Sequence, residues 1–121
     1  MDLSDYKISE AEWLSINDPI GRATDIRIKV ASRDSEIFKK QTRRISELER
    51  KRGTKGLKPA ESERLWLEAL AKCTVEWENV EEEGKEVPLT YENAILIYEK
   101  YPFVTEQILT FVQDRENFLS N

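Results

Sequence analysis

The 121-residue chain contains no histidine, one cysteine and one methionine. Without His there is no Ser-His-Asp or Cys-His relay and no imidazole metal ligand. The usual general base at neutral pH is missing too. A lone Cys73 rules out an intrachain disulfide and a Cys-rich zinc site, and fits a reducing compartment. Cys73 lies among Leu70, Val75 and Trp77 and reads as a buried structural thiol. Gly and Pro are sparse, four of each, which favours helices over a turn-rich all-β fold. No apolar run approaches the roughly 18 residues that span a bilayer, so no membrane partner is expected. The start, MDLSDYKISE, lacks a basic-then-apolar leader. Gly53-Thr54-Lys55-Gly56 has neither the spacing nor the preceding buried strand of a phosphate-binding loop. The expectation is a non-enzymatic protein with no cofactor and no metal.

Charge, by contrast, is plentiful: 36% of residues are charged against 39% apolar. That balance suits a small helical domain with wide solvated faces. A chain of this length can bury roughly two-thirds of its unfolded surface, so one domain over 1–121 is expected. The net charge of -5 conceals a strong partition. Residues 1–32 carry net -2. Residues 33–58 hold ten bases and four acids, net +6. Residues 59–121 hold five bases and fourteen acids, net -9. A basic arm beside an acidic body can pair internally or dock other molecules.

Periodicity sets the expected elements. Thr24-Asp25-Ile26-Arg27-Ile28-Lys29-Val30 alternates as a half-buried strand does, and Glu12 to Ile16 is its candidate partner. Asn17-Asp18-Pro19-Ile20-Gly21 between them is strong turn chemistry. A β-hairpin over 11–31 follows, lying on helices because a lone hairpin is marginal. A basic helix is predicted over 34–52, capped by Asp34 or Ser32, with Ile37, Phe38, Ile45 and Leu48 as a narrow stripe. A flexible basic loop over 53–59 follows it. A second helix is predicted from Ala60 to Val75, with Trp66, Leu70, Cys73 and Trp77 on one face. Glu78 to Glu86 reads as an acidic connection turning at Gly84. Leu89-Thr90 marks the entry to a third helix, Tyr91 to Lys100. Pro102 opens a fourth, carrying Val104, Ile108, Phe111, Val112, Arg115, Phe118 and Leu119. The predicted fold class is α+β, mainly α: an N-terminal β-hairpin, then about four helices in a helical body over 60–119.

Two groups of residues are candidates for binding. Lys40, Arg43, Arg44, Arg50 and Lys51 crowd the basic helix, where a charged face serves an acidic protein partner, phosphates or solvent alone. Trp13, Tyr101 and Phe103 are aromatics placed near element ends, where partly exposed rings anchor partners. Trp77 sits at helical spacing, which favours a core ring, and is a binding candidate through the loop from Trp77 to Pro88. Glu81-Glu82-Glu83 lacks the ligand ladder of a calcium loop and reads as a solvated turn.

Three segments also carry a family resemblance. The first is Trp13-Leu14-Ser15-Ile16-Asn17-Asp18-Pro19 with Thr24 to Val30. The second is Ser32-Arg33-Asp34-Ser35-Glu36-Ile37-Phe38, with its small, Asp-Ser, aromatic helix start. The third is Val75-Glu76-Trp77-Glu78-Asn79-Val80, then Gly84, Pro88-Leu89-Thr90-Tyr91-Glu92-Asn93 and Tyr101-Pro102. In this order and spacing, from about Trp13 to Leu119, they resemble the tail assembly chaperones of long, non-contractile-tailed phages.

The resemblance implies a protein working in the host bacterial cytoplasm and absent from the mature virion. It would bind the tape measure protein, keep that long helical ruler soluble, and help recruit tail tube protein. Many such genes also yield a longer frameshifted product, and this chain would correspond to the shorter form. Helix-in-groove packing suits such a client. The hairpin edges make a homo-oligomer an expectation. The rival reading is a small nucleic-acid-binding protein using the basic helix over 33–58, with Arg43, Arg44, Arg50, Lys51 and Lys55 on phosphates. Only Phe38 interleaves those cations and the whole chain is acidic, so nucleic acid is the lesser expectation.

Overall fold

The computed structural model describes residues 1–120. A 3-10 turn at Leu3–Asp5 leads into a two-residue strand, β1 (Lys7–Ile8), and then into β2 (Ala11–Asn17) and β3 (Ala23–Ala31). β2 and β3 pair antiparallel, Leu14 opposite Ile28 and Trp13 opposite Lys29. Alternation puts Leu14, Ile16, Ile26, Ile28 and Val30 on the inner face, with Ile16 and Ile28 fully buried. The connecting turn is tied by Asp18, whose Oδ1 accepts from the Ile20 and Arg22 amides at 3.0 and 2.9 Å.

Four helices follow: α1 (Glu36–Arg52), α2 (Pro59–Cys73), α3 (Tyr91–Lys100) and α4 (Pro102–Gln113). Ser35 caps α1, rather than the expected Asp34 or Ser32. Its Oγ accepts from the Phe38 amide and donates to the Ser32 carbonyl at 2.6 Å. Thr90 caps α3 through the Asn93 amide, and Pro59 and Pro102 open α2 and α4. α1 buries only Gln41 and Ile45. α2 packs on both α1 and α3, and α4 lies across β2 and β3.

The mainly-α reading, a hairpin followed by a helical body, is overturned. α2 stops at Cys73, and the chain turns directly into a strand, β4 (Thr74–Glu78), which pairs antiparallel with β3. The hairpin is thereby one part of a three-stranded sheet of order β2-β3-β4. Trp77 does not continue the face of Trp66 and Leu70. It sits opposite Ile28 in the sheet, and its indole N–H donates to the Val87 carbonyl at 2.9 Å. The physical reason lies in Thr74-Val75-Glu76-Trp77-Glu78, where β-branched and aromatic residues favour a pleated surface. The register slips by one residue between Lys29 and Val30, leaving Val75 as a bulge 48% exposed.

Two further strand pairs depart from the expectation. β5 (Glu81–Glu82) and β6 (Lys85–Glu86) make a small hairpin from the predicted acidic connection. Its turn residues Glu83 and Gly84 both have positive φ, 51° and 77°, the requirement of a tight two-residue hairpin turn. α4 ends at Gln113, five residues short of where its stripe reaches Phe118. Asp114 caps a 3-10 turn over Arg115–Phe118, accepting from the Glu116 amide. Leu119 and Ser120 then form β7, paired with β1. Phe118 is fully buried against Phe111, ring centroids 5.3 Å apart.

The core gathers both layers. Leu70 of α2, Ala94, Ile95 and Tyr98 of α3, and Val104 and Ile108 of α4 close on the inner face of the sheet. Tyr98 keeps its hydroxyl satisfied by Thr74 Oγ1 at 2.5 Å, and Thr74 Oγ1 also bonds the Leu70 carbonyl.

Candidate functional site

α1 is a helix with two working faces. Gln41, Ile45 and Leu48 turn towards α2, and on that side Arg44 meets Glu68 at 3.5 Å and Arg52 meets Glu61 at 2.5 Å. These two arginines are neutralised by the fold. The other side, with Phe38, Thr42, Ser46 and Arg50 four residues apart, overhangs α4. Between the helices runs an open groove of about 1110 Å³.

The floor of the groove is apolar and drawn from three helices: Phe38 of α1, Trp66 of α2, Leu109 and Val112 of α4. Trp66 is half-buried and lies outside the main core cluster. Its indole N–H finds no partner among the described residues, whereas that of Trp77 is used internally. The rim carries Arg33, Lys39, Arg43, Arg50 and Arg115 against two acids, Asp34 and Glu47. Asp34 is already engaged by a two-pronged contact from Arg115, Nε to Oδ2 at 2.8 Å and a terminal nitrogen to Oδ1 at 3.0 Å. That hydrogen bonding holds the Asp34 carboxyl below its ordinary value. Arg33 donates to the Gln113 carbonyl at 3.3 Å. Lys39, Arg43 and Arg50 make no ion pair among the described residues.

The nine residues singled out from the sequence do not converge. Arg43 and Arg50 line the groove. Arg44 is spent on Glu68, and Lys40 and Lys51 are exposed and are not among the groove-lining residues. Trp13 lies on the outer face of the sheet beneath the Arg27 guanidinium, 4.6 Å from its ring centre. Trp77 packs against the core. Tyr101 donates its hydroxyl to Glu82 at 2.7 Å and meets Phe103 edge to face at 6.4 Å. Lys100 binds the same Glu82 oxygen at 2.8 Å. Lys100 first and then Tyr101 hold the Glu82 carboxyl below its usual range. Tyr101 therefore fastens the β5–β6 hairpin to the α3–α4 corner.

Sequence reasoning missed Trp66, Leu109, Val112, Arg33, Lys39 and Arg115 as groove residues. By sequence periodicity Trp66 reads as part of a core face and Arg115 as part of a helical stripe. The available signal was the i, i+4 series Lys39-Arg43 beside Phe38-Thr42-Ser46, a cationic line next to a weakly apolar one. Burial raises Cys73 to about 12, and no cluster of three or more acids or thiols suits a metal among the described residues. No described helix is long and apolar enough to cross a membrane.

Comparison with known proteins finds one family. The model of a family described as YdaY prophage protein matches residues 32–120. The match takes in all four helices, β4 and every groove-lining residue, and leaves out β1, β2 and β3. No curated protein and no solved structure gives a significant match.

Proposed function

The chain belongs to the YdaY family of prophage proteins, and from that premise we propose that it is a non-enzymatic tail assembly chaperone. It binds helical, apolar segments of the tape measure protein and helps bring tail tube protein to them. It does so in the host bacterial cytoplasm and is not retained in the mature virion. Phage origin follows from the family; the tail role rests on the ordered motifs from Trp13 to Tyr101-Pro102 and on the character of the surface.

The groove between α1 and α4 is the observation that carries this reading. A long helical ruler awaiting assembly exposes apolar stripes that self-associate. Trp66, outside the main core, with Phe38 and Leu109, which pack against it, and the edge of the core residue Val112, offer such a stripe an apolar bed. A transient holder needs moderate affinity, and a partly open groove with few ring anchors supplies that.

The test is co-purification. A tagged form of this chain, expressed with the tape measure and tail tube proteins of the same prophage, retains the tape measure protein on affinity resin. If neither protein is retained, the chaperone reading is wrong. A second reading has one observation behind it: Lys39, Arg43 and Arg50, which make no ion pair among the described residues, stand beside two aromatic rings, as a single-stranded nucleic acid would require. It predicts retention of DNA or RNA at low salt and steep release as salt rises.

A further inference from the structure

We propose that the α1–α4 groove selects its client by charge, and that its occupant is one amphipathic helix with acids beside its apolar stripe. This rests on the reading that the protein holds helical clients, and specifies which helices fit.

Three observations select that occupant. The first is how α1 divides its cations. Arg44 and Arg52 are neutralised by Glu68 and Glu61 of α2, while Lys39, Arg43 and Arg50 on the groove side make no ion pair among the described residues. The fold therefore leaves net positive charge along that wall, three cations against Glu47. The second is the end of the groove where the start of α1 meets the end of α4: Arg33 donates to the Gln113 carbonyl there, beside the Arg115–Asp34 ion pair. Cations thus line the α1 side of the floor and one end of it, in a protein whose net charge is -5. The third is shape. α1 spans 17 residues, about 25 Å at the helical rise, which matches four to five turns of a ligand helix.

A helix lying there sets apolar side chains at i, i+3, i+4 and i+7 against Phe38, Trp66, Leu109 and Val112. Its flanking Glu or Asp residues reach Lys39, Arg43 and Arg50 along α1 and Arg33 at the end of the groove. The Trp66 indole N–H, without a partner among the described residues, donates to a flanking carboxylate or backbone carbonyl. A cationic helix of equal hydrophobicity meets like charges there, each close juxtaposition opposing binding. A nucleic acid would satisfy the cations but leave the aliphatic part of the floor, Leu109 and Val112, without a matching surface.

The probe is a fluorescein-labelled synthetic helix of about 18 residues, with Leu on one face and Glu on both flanks. Its binding is followed by anisotropy at moderate salt, beside a Lys-flanked version and an oligo-dT of similar length. The acidic peptide is expected to bind. Arg43→Glu with Arg50→Glu weakens it by about tenfold or more, whereas Lys40→Glu with Lys51→Glu leaves it within about twofold. The second pair lies on the same helix with the same charge change, so it controls for long-range electrostatics. Melting curves of both double variants verify that each is folded, and Trp66→Phe provides a milder probe of the floor. The inference is overturned if the Lys-flanked peptide binds equally well, if the two double variants behave alike, or if oligo-dT binds more tightly than the acidic peptide. Failure here with the tape measure protein still co-purifying removes the groove and spares the chaperone reading. Tight, charge-selective peptide binding without co-purification keeps the groove and removes that reading.

Discussion

Individual residues divide into those the fold uses up and those it leaves available. Cys73 belongs to the first kind. It is 2% exposed and its thiol is raised to about 12 by burial. At pH 8 on the order of one such thiol in ten thousand is ionised. Cys73 is therefore expected to resist a disulfide reagent such as DTNB in the native protein and to react within seconds in denaturant. Rapid labelling under native conditions would show that the α2–β4 junction opens readily. Asp34 is also committed. Its folded pKa lies below the unfolded value because Arg115 bonds the charged form. The resulting stabilisation is fully present above the ordinary carboxylate value of 3.8 and is lost as pH falls through the depressed one. Asp34→Asn should thus lower the melting temperature at pH 6, and the gap from the wild type should narrow as pH falls below 3.8. A gap that stays constant as pH falls would show that the pair does not act through its charge.

Elements show where local pattern suffices and where it does not. Tyr91–Lys100 and the hairpin strands lie where periodicity and caps put them, because a Thr90 cap, a Pro102 start and an Asp18 turn are decided by neighbours in sequence. The segment around Trp77 fails that treatment. Trp66, Leu70, Cys73 and Trp77 fit a helical face, yet β3 offers Thr74–Glu78 a strand partner, and the sheet wins over the continued helix. The tail of α4 fails for a similar reason. Phe118 reaches the core through a 3-10 turn capped by Asp114 instead of through added helix. The groove was legible only in part. Its cations could be seen as a cluster, but which were free depended on Glu61 and Glu68 standing on α2. Its floor joins residues 38, 66, 109 and 112, which no window of sequence contains.

The β5–β6 hairpin gives a test at this scale. Gly84 has φ 77° with open space where a Cβ would stand, and Glu83 has φ 51°. Only backbone strain distinguishes substitutions there. Gly84→Ala should destabilise by about 1 kcal/mol, and Glu83→Asn should stabilise by roughly 0.5 kcal/mol, read from denaturant midpoints. If Gly84→Ala is neutral, the turn does not require the left-handed conformation.

The whole molecule is an acidic body bearing one basic, apolar-floored groove. β3 anchors a sheet on one side, α3 and α4 close the core, and α1 stands out from it with two buried residues. Such an arrangement keeps stability and binding on separate residues: Tyr98, Ile28 and Phe118 hold the fold, while Trp66, Arg43 and Arg50 remain for a partner. Substitutions of Trp66, Arg43 and Arg50 are accordingly expected to change binding with little effect on melting. The central claim is that this surface keeps a helical phage protein from aggregating. Its most direct test is the soluble fraction of the tape measure protein of the same prophage, expressed alone, with this chain, or with the Arg43→Glu, Arg50→Glu variant. The account predicts a mostly insoluble protein alone, a mostly soluble one beside the wild-type chain, and a return towards insolubility with the variant. Equal solubility in all three would contradict it.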